Sequence, residues 1–90
     1  MNILKYFTYT HLPEYLQVPS KLFADCVNTL SIKSIDTLIN NLSTLQVKDK
    51  DEFQVGVFKL NKAKELVDYT EHSIRLILEA KDCVIRSIVK

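Results

Sequence analysis

The sequence predicts a mainly α fold, with an N-terminal arm and a short helix followed by an antiparallel helical hairpin or small bundle, assembled as an oligomer. Three observations lead there. The 90 residues include one glycine and two prolines, too few breakers for the frequent turns of a sandwich or barrel. Apolar residues recur at spacings of three and four through most of the chain. The length makes a single domain, residues 1–90. A chain of this size buries only about 60% of the surface its unfolded form exposes, so its core is marginal and self-association is expected.

Residues 1–12 read as an aromatic arm, 13–46 as a first helical part and 52–89 as a long C-terminal helical part. Pro13 suits the first turn of a short helix through Gln17. Pro19 suits the start of another, because first-turn N–H groups have no intrahelical acceptor. From there Leu22, Phe23, Cys26, Val27 and Leu30 form one apolar stripe to about Leu30. A second helical set, Ile35, Leu38, Ile39, Leu42 and Leu45, falls on a different face. Either "SIKSID" breaks the helix with Ser34 as N-cap, or the helix continues and presents a new face to a partner; the break is favoured. The solvated run "VKDKDE" is a chain reversal. After it, Phe53, Val55 and Val57 alternate, so a short β-hairpin within 43–60 is an alternative to helix. Against it stands a three-and-four series: Phe53, Gly56, Leu60, Ala63, Val67, Thr70, Ile74, Ile77, Lys81, Val84 and Ile88. A second stripe, Leu66, Tyr69, Leu76, Ala80 and Cys83, needs another chain to cover it.

Composition narrows the function classes. Twelve basic and eleven acidic side chains leave a net charge of +1, whereas a binder of long nucleic acid carries a strong basic excess. Cys26 and Cys83 show no metal-ligand spacing, and "MNILKYFTYTH" lacks the apolar core of a signal peptide, so a reducing cytoplasm is expected. No apolar run approaches the roughly 20 residues that span a bilayer, and no membrane association is expected. His11 and His72 lie in different segments, outside any HExxH or similar pattern. Ser20 and Ser87 lack a GxSxG setting, and the sole glycine excludes a glycine-rich phosphate loop. An enzyme is disfavoured, and neither metal nor cofactor is expected.

Two stretches stand out. In "LEAKDCVIRS" a helix places Glu79, Asp82 and Arg86 on one edge, where local ion pairs form. Lys81 takes a seam position, so it must reach solvent, pair with a carboxylate or meet an anion. In "KYFTYTHLP", Tyr6, Phe7 and Tyr9 offer flat faces for a base, and Lys5 and His11 offer positive charge or donors to phosphate. Clamping of the arm onto the helices explains the same aromatics.

The pairing of "FTYTHLPEYLQVPSKLFADCVNTL" with "IRLILEAKDCVIRS" resembles small phage proteins of the helical-hairpin type, the anti-CBASS and anti-Thoeris sponges. Those proteins assemble as oligomers and sequester cyclic nucleotide signals of bacterial immunity, in the infected host's cytoplasm. The resemblance implies that Tyr9 and His11 lie against a nucleotide and that Lys21 reaches a phosphate of a ligand held between protomers. It also implies that Arg75 and Arg86 serve a second ligand or a subunit contact. The chain departs from the pattern between about Ser31 and Val67, where it carries extra residues. A sponge needs stacking faces, a few cations and burial between subunits, and no nucleophile. The rival expectation is a helical protein-interaction module that inhibits a host protein through its spare apolar seam.

Overall fold

Helices form wherever the spacing of apolar residues and the end signals agree. The computed structural model describes residues 13–89, and among these it is all-helical: α1 (Glu14–Thr29), α2 (Ile32–Leu42), α3 (Lys50–Glu65) and α4 (Thr70–Val89). The mainly α expectation holds. The arm of residues 1–12 lies outside the described residues.

Pro13 stands at the N-cap of α1, as its missing N–H allows. The expected restart at Pro19 does not occur, and α1 runs straight through it. An internal proline removes one backbone bond and costs about 3 kcal/mol. Here it keeps the stripe Leu16, Pro19, Phe23, Cys26 and Val27 continuous, and its ring is fully buried. Tertiary packing outweighs the local penalty.

The break in "SIKSID" is present, but Ser31 rather than Ser34 is the N-cap of α2. Ser34 completes a reciprocal capping box. Its N–H donates to Ser31 Oγ at 3.0 Å, and the Ser31 N–H donates to Ser34 Oγ at 2.9 Å. Between the helices Leu30 adopts φ of 26°, a left-handed value rare for a branched side chain. Its N–H closes on the Cys26 carbonyl at 2.8 Å, and its side chain packs on the core.

The β-hairpin alternative at 43–60 does not form. Asp49 caps α3 through the Glu52 N–H at 3.0 Å. Asp51 and Glu52 in the first turn and Lys62 and Lys64 in the last complement the helix dipole. The helical period also buries more, since Gly56, Leu60 and Ala63 are enclosed while Val55, an inward residue of the hypothetical strand, is exposed.

The three-and-four seam folds back on itself at residues 66–69, so both halves face inward. Contacts from Ala63 with Ser73, through Lys59 with Glu79, to Glu52 with Arg86 show α3 and α4 running antiparallel. They approach closely at Gly56, beside Ala80, Cys83 and Val84. Of the second stripe, Ala80 and Cys83 are therefore buried within this chain, and Tyr69 is exposed. Helix ends are satisfied by neighbours: Ser73 Oγ donates to the Ala63 carbonyl at 2.9 Å, and the Lys48 and Asp49 N–H groups donate to the Ser87 carbonyl at 2.8 and 3.1 Å. α2 packs on α1 and α3, and α1 closes the ring against α4.

The core so formed centres on Phe23, Val27, Ile35, Leu38, Leu42, Leu60, Ile77 and Val84. One polar atom in it is anomalous. Ser20 Oγ is buried and has no hydrogen-bond partner among the described residues. A buried unsatisfied hydroxyl costs about 1–3 kcal/mol, and alanine is the better helix former. Ser20→Ala is accordingly expected to stabilise the fold by about 1 kcal/mol, read as a higher midpoint in urea at unchanged slope; a lower midpoint would show that the hydroxyl is satisfied.

Candidate functional site

One concave feature of the described surface is a groove between α1 and α2, with a volume of about 350 Å³. It follows from the tight turn at Leu30, which lays α2 back along α1. Leu22, Asp25, Cys26 and Thr29 form the α1 wall; Lys33, Ser34, Thr37, Leu38 and Asn41 form the α2 wall. The floor is apolar and the rim polar. Ser34 ties the walls together, since its Oγ stands 3.8 Å from Cys26 Sγ and can donate to the carbonyl of Ser31 at 3.0 Å or of Cys26 at 3.4 Å.

Elsewhere three ion pairs tie helices together. Lys59 meets Glu79 at 2.8 Å, Lys64 meets Asp36 at 2.7 Å, and Arg86 meets Glu52 at 2.7 Å. Asp25 and Lys33, on opposite walls of the groove, form no ion pair among the described residues.

Of the residues singled out in the sequence, Phe7, Tyr9 and His11 lie outside the described residues. Lys21 is exposed on α1, one turn before Asp25, and Arg75 is exposed on α4. Arg75 and Arg86 share a face of α4, eleven residues and hence roughly 16 Å apart along the axis. Lys81 is half-buried on the side carrying Ile77 and Val84. None of these lines the groove. The structure does bring the described parts of the two terminal stretches together, because α1 packs on α4.

The expected ion pairs along α4 are replaced by pairs across to α3. Glu79 and Arg86 reach Lys59 and Glu52, and Arg86 also donates to Cys83 Sγ at 3.5 Å. Its hydrogen bond to Glu52, then the nearby charges of Glu52, Cys83 and Asp82, raise the Arg86 pKa against a smaller desolvation effect. Arg86 is exposed and Lys59 only partly covered, so these pairs contribute little stability. His72 is exposed, with its ring tilted against Tyr69 at 6.5 Å between centroids.

Burial raises the Cys26 thiol above its ordinary 9.0, with the Ser34 hydrogen bond offsetting part of the rise. Cys26 is therefore a poor nucleophile at neutral pH. The sign of its linkage is definite: above pH 9 the unfolded chain loses this proton before the folded one, so stability falls as pH rises. The Lys59 pair acts in the same direction at higher pH, since its raised pKa favours the fold until the folded ammonium titrates. Thermal melts are expected to show a falling midpoint from about pH 9 upward, with a shallower slope in Cys26→Ala. Equal slopes in the two proteins would remove Cys26 from the account.

Among the described residues no three His, Cys, Asp or Glu side chains converge on a metal position, and no helix is long and apolar enough to cross a membrane. The groove was not legible in the sequence, since its residues occur singly on two helices; the nearest signal was the pair of serines in "SIKS". The chain matches no family model, no curated protein and no solved structure.

Proposed function

We propose that the chain is a phage-encoded, non-catalytic immune-evasion protein that captures a cyclic nucleotide-type second messenger of bacterial anti-phage defence, between copies of itself, and leaves it intact. The observation that carries this reading is the packing of α1 on α4. The two stretches that resemble the phage sponges are 43 residues apart in the chain (Leu30 to Ile74, exclusive), yet their described parts lie on neighbouring helices. Lys21 and Arg75 are exposed on those helices, where they are accessible to a phosphate. Aromatic side chains of the arm supply stacking, worth about 1–3 kcal/mol per base.

Tyr9→Ala and Lys21→Ala test the assignment. Each is expected to weaken messenger binding about tenfold or more, in line with the loss of one stacking or charge-assisted contact, with the oligomeric mass retained. Unchanged affinity in both variants would place the site elsewhere. A second reading, a module that docks on a host protein, is favoured by the exposed Val55 and Phe58 on α3. It predicts a stable host-protein complex that survives both substitutions, without messenger binding.

A further inference from the structure

The groove between α1 and α2 has the size and chemistry of a small-molecule subsite, and the sponge resemblance does not assign it. Its volume of about 350 Å³ sits at the lower end of ligand sites, which run from about 300 to 1,000 Å³. That is room for one nucleoside monophosphate unit rather than a whole cyclic dinucleotide. The partly exposed side chain of Leu22 offers an apolar surface to a planar ring, with Leu38 enclosed in the core behind it. Asn41 and Thr37 bring an amide and a hydroxyl to the rim, able both to donate and to accept. Lys33 adds a cation in the first turn of α2, and Asp25 an acceptor on the other wall.

Two charges without an ion-pair partner among the described residues border the groove. Lys59, Lys62, Lys64 and Arg86 all have carboxylate partners. Lys33 and Asp25, like Lys21, Lys48, Lys50 and Arg75, have none among the described residues, and these two line the α1–α2 groove. A ligand that is anionic at one end and carries hydroxyl or amino donors at the other satisfies both. We infer that the α1–α2 groove binds one nucleotide unit, its ring against Leu22, its phosphate at Lys33 and its ribose hydroxyls or amino group at Asp25. This deepens the proposed function and rests on it for the identity of the natural ligand, which would enter the groove by one nucleotide of the messenger.

Amide chemical shifts of the full-length protein, titrated with adenosine and guanosine 5′-monophosphate at millimolar concentration, test the site directly. Perturbations are expected at Leu22, Thr29, Lys33 and Asn41. They should weaken at least tenfold in Lys33→Glu and in Thr37→Trp, two exposed positions that leave the core untouched, and persist in Lys62→Glu on α3. Absent perturbations, or perturbations that survive both groove substitutions, overturn the inference. Messenger depletion that persists at full strength in Lys33→Glu and Thr37→Trp also overturns it, while leaving the proposed function standing. Groove perturbation by the monophosphates in a protein that depletes no messenger would support the groove and sink the messenger reading.

Discussion

Phe23→Ala is expected to remove about 3–5 kcal/mol of stability, enough to leave the chain largely unfolded at 37 °C. Phe23 is fully buried at the middle of α1. Its ring belongs to the core that joins α1 to Ile35 and Leu38 of α2 and to Ile77 and Val84 of α4. Truncation loses the transfer free energy of the ring and leaves a cavity that helices fixed on both sides cannot close. Domains of this size hold roughly 5–15 kcal/mol in total, and each kcal/mol shifts the midpoint by about 4–8 °C. Urea titration followed by helical circular dichroism reads the effect as a lower midpoint at constant slope. A loss below about 1 kcal/mol would mean that α1 does not depend on this contact.

The second large effect is expected at Gly56. A Cβ there would stand 3.2 Å from Val84 Cγ2 and 3.3 Å from both the Ala80 carbonyl oxygen and Cys83 Cβ. Glycine is a weak helix former, about 1 kcal/mol worse than alanine, so its place inside α3 needs this closeness to explain it. Gly56→Ala sets that propensity gain against contacts tighter than usual, one of them to backbone that no rotamer change relieves. The two nearly cancel. Gly56→Leu has no such compensation and must push α4 away, weakening the Lys59–Glu79 and Arg86–Glu52 pairs as it does so; a loss of about 3 kcal/mol is expected. Leucine tolerated without loss would show that α3 and α4 pack less closely than the distances state.

Helices were legible because their evidence is local: spacing and a scarcity of breakers. The seam from Phe53 to Ile88 was legible as a period, and Gly56 already stood on it, but the fold-back at 66–69 depends on which half meets which. Ser31 and Ser34 belong to one capping box three residues apart, so the sequence alone reads either as the cap. Pro19 misled because its local cost is outweighed only once the stripe from Leu16 to Val27 has something to pack on. Arg86 and Glu79 misled for a related reason. Partners along the same helix are visible in the sequence, whereas Glu52 and Lys59 become neighbours only when α3 is laid against α4. The groove is a product of the turn at Leu30, where a left-handed leucine directs α2 back along α1, and no motif announces that. The meeting of the two terminal stretches on α1 and α4 is likewise a matter of topology.

The central claim is capture without turnover. It is tested most directly by incubating purified protein with a panel of cyclic di- and trinucleotides and cyclic ADP-ribose isomers, removing the free ligand, denaturing the protein by heat and identifying what is released. The account predicts depletion of at least one messenger class and its recovery intact. Recovery of an altered product would make the protein an enzyme, and no depletion of any member would contradict the sequestration account and leave the host-protein module as the reading to pursue.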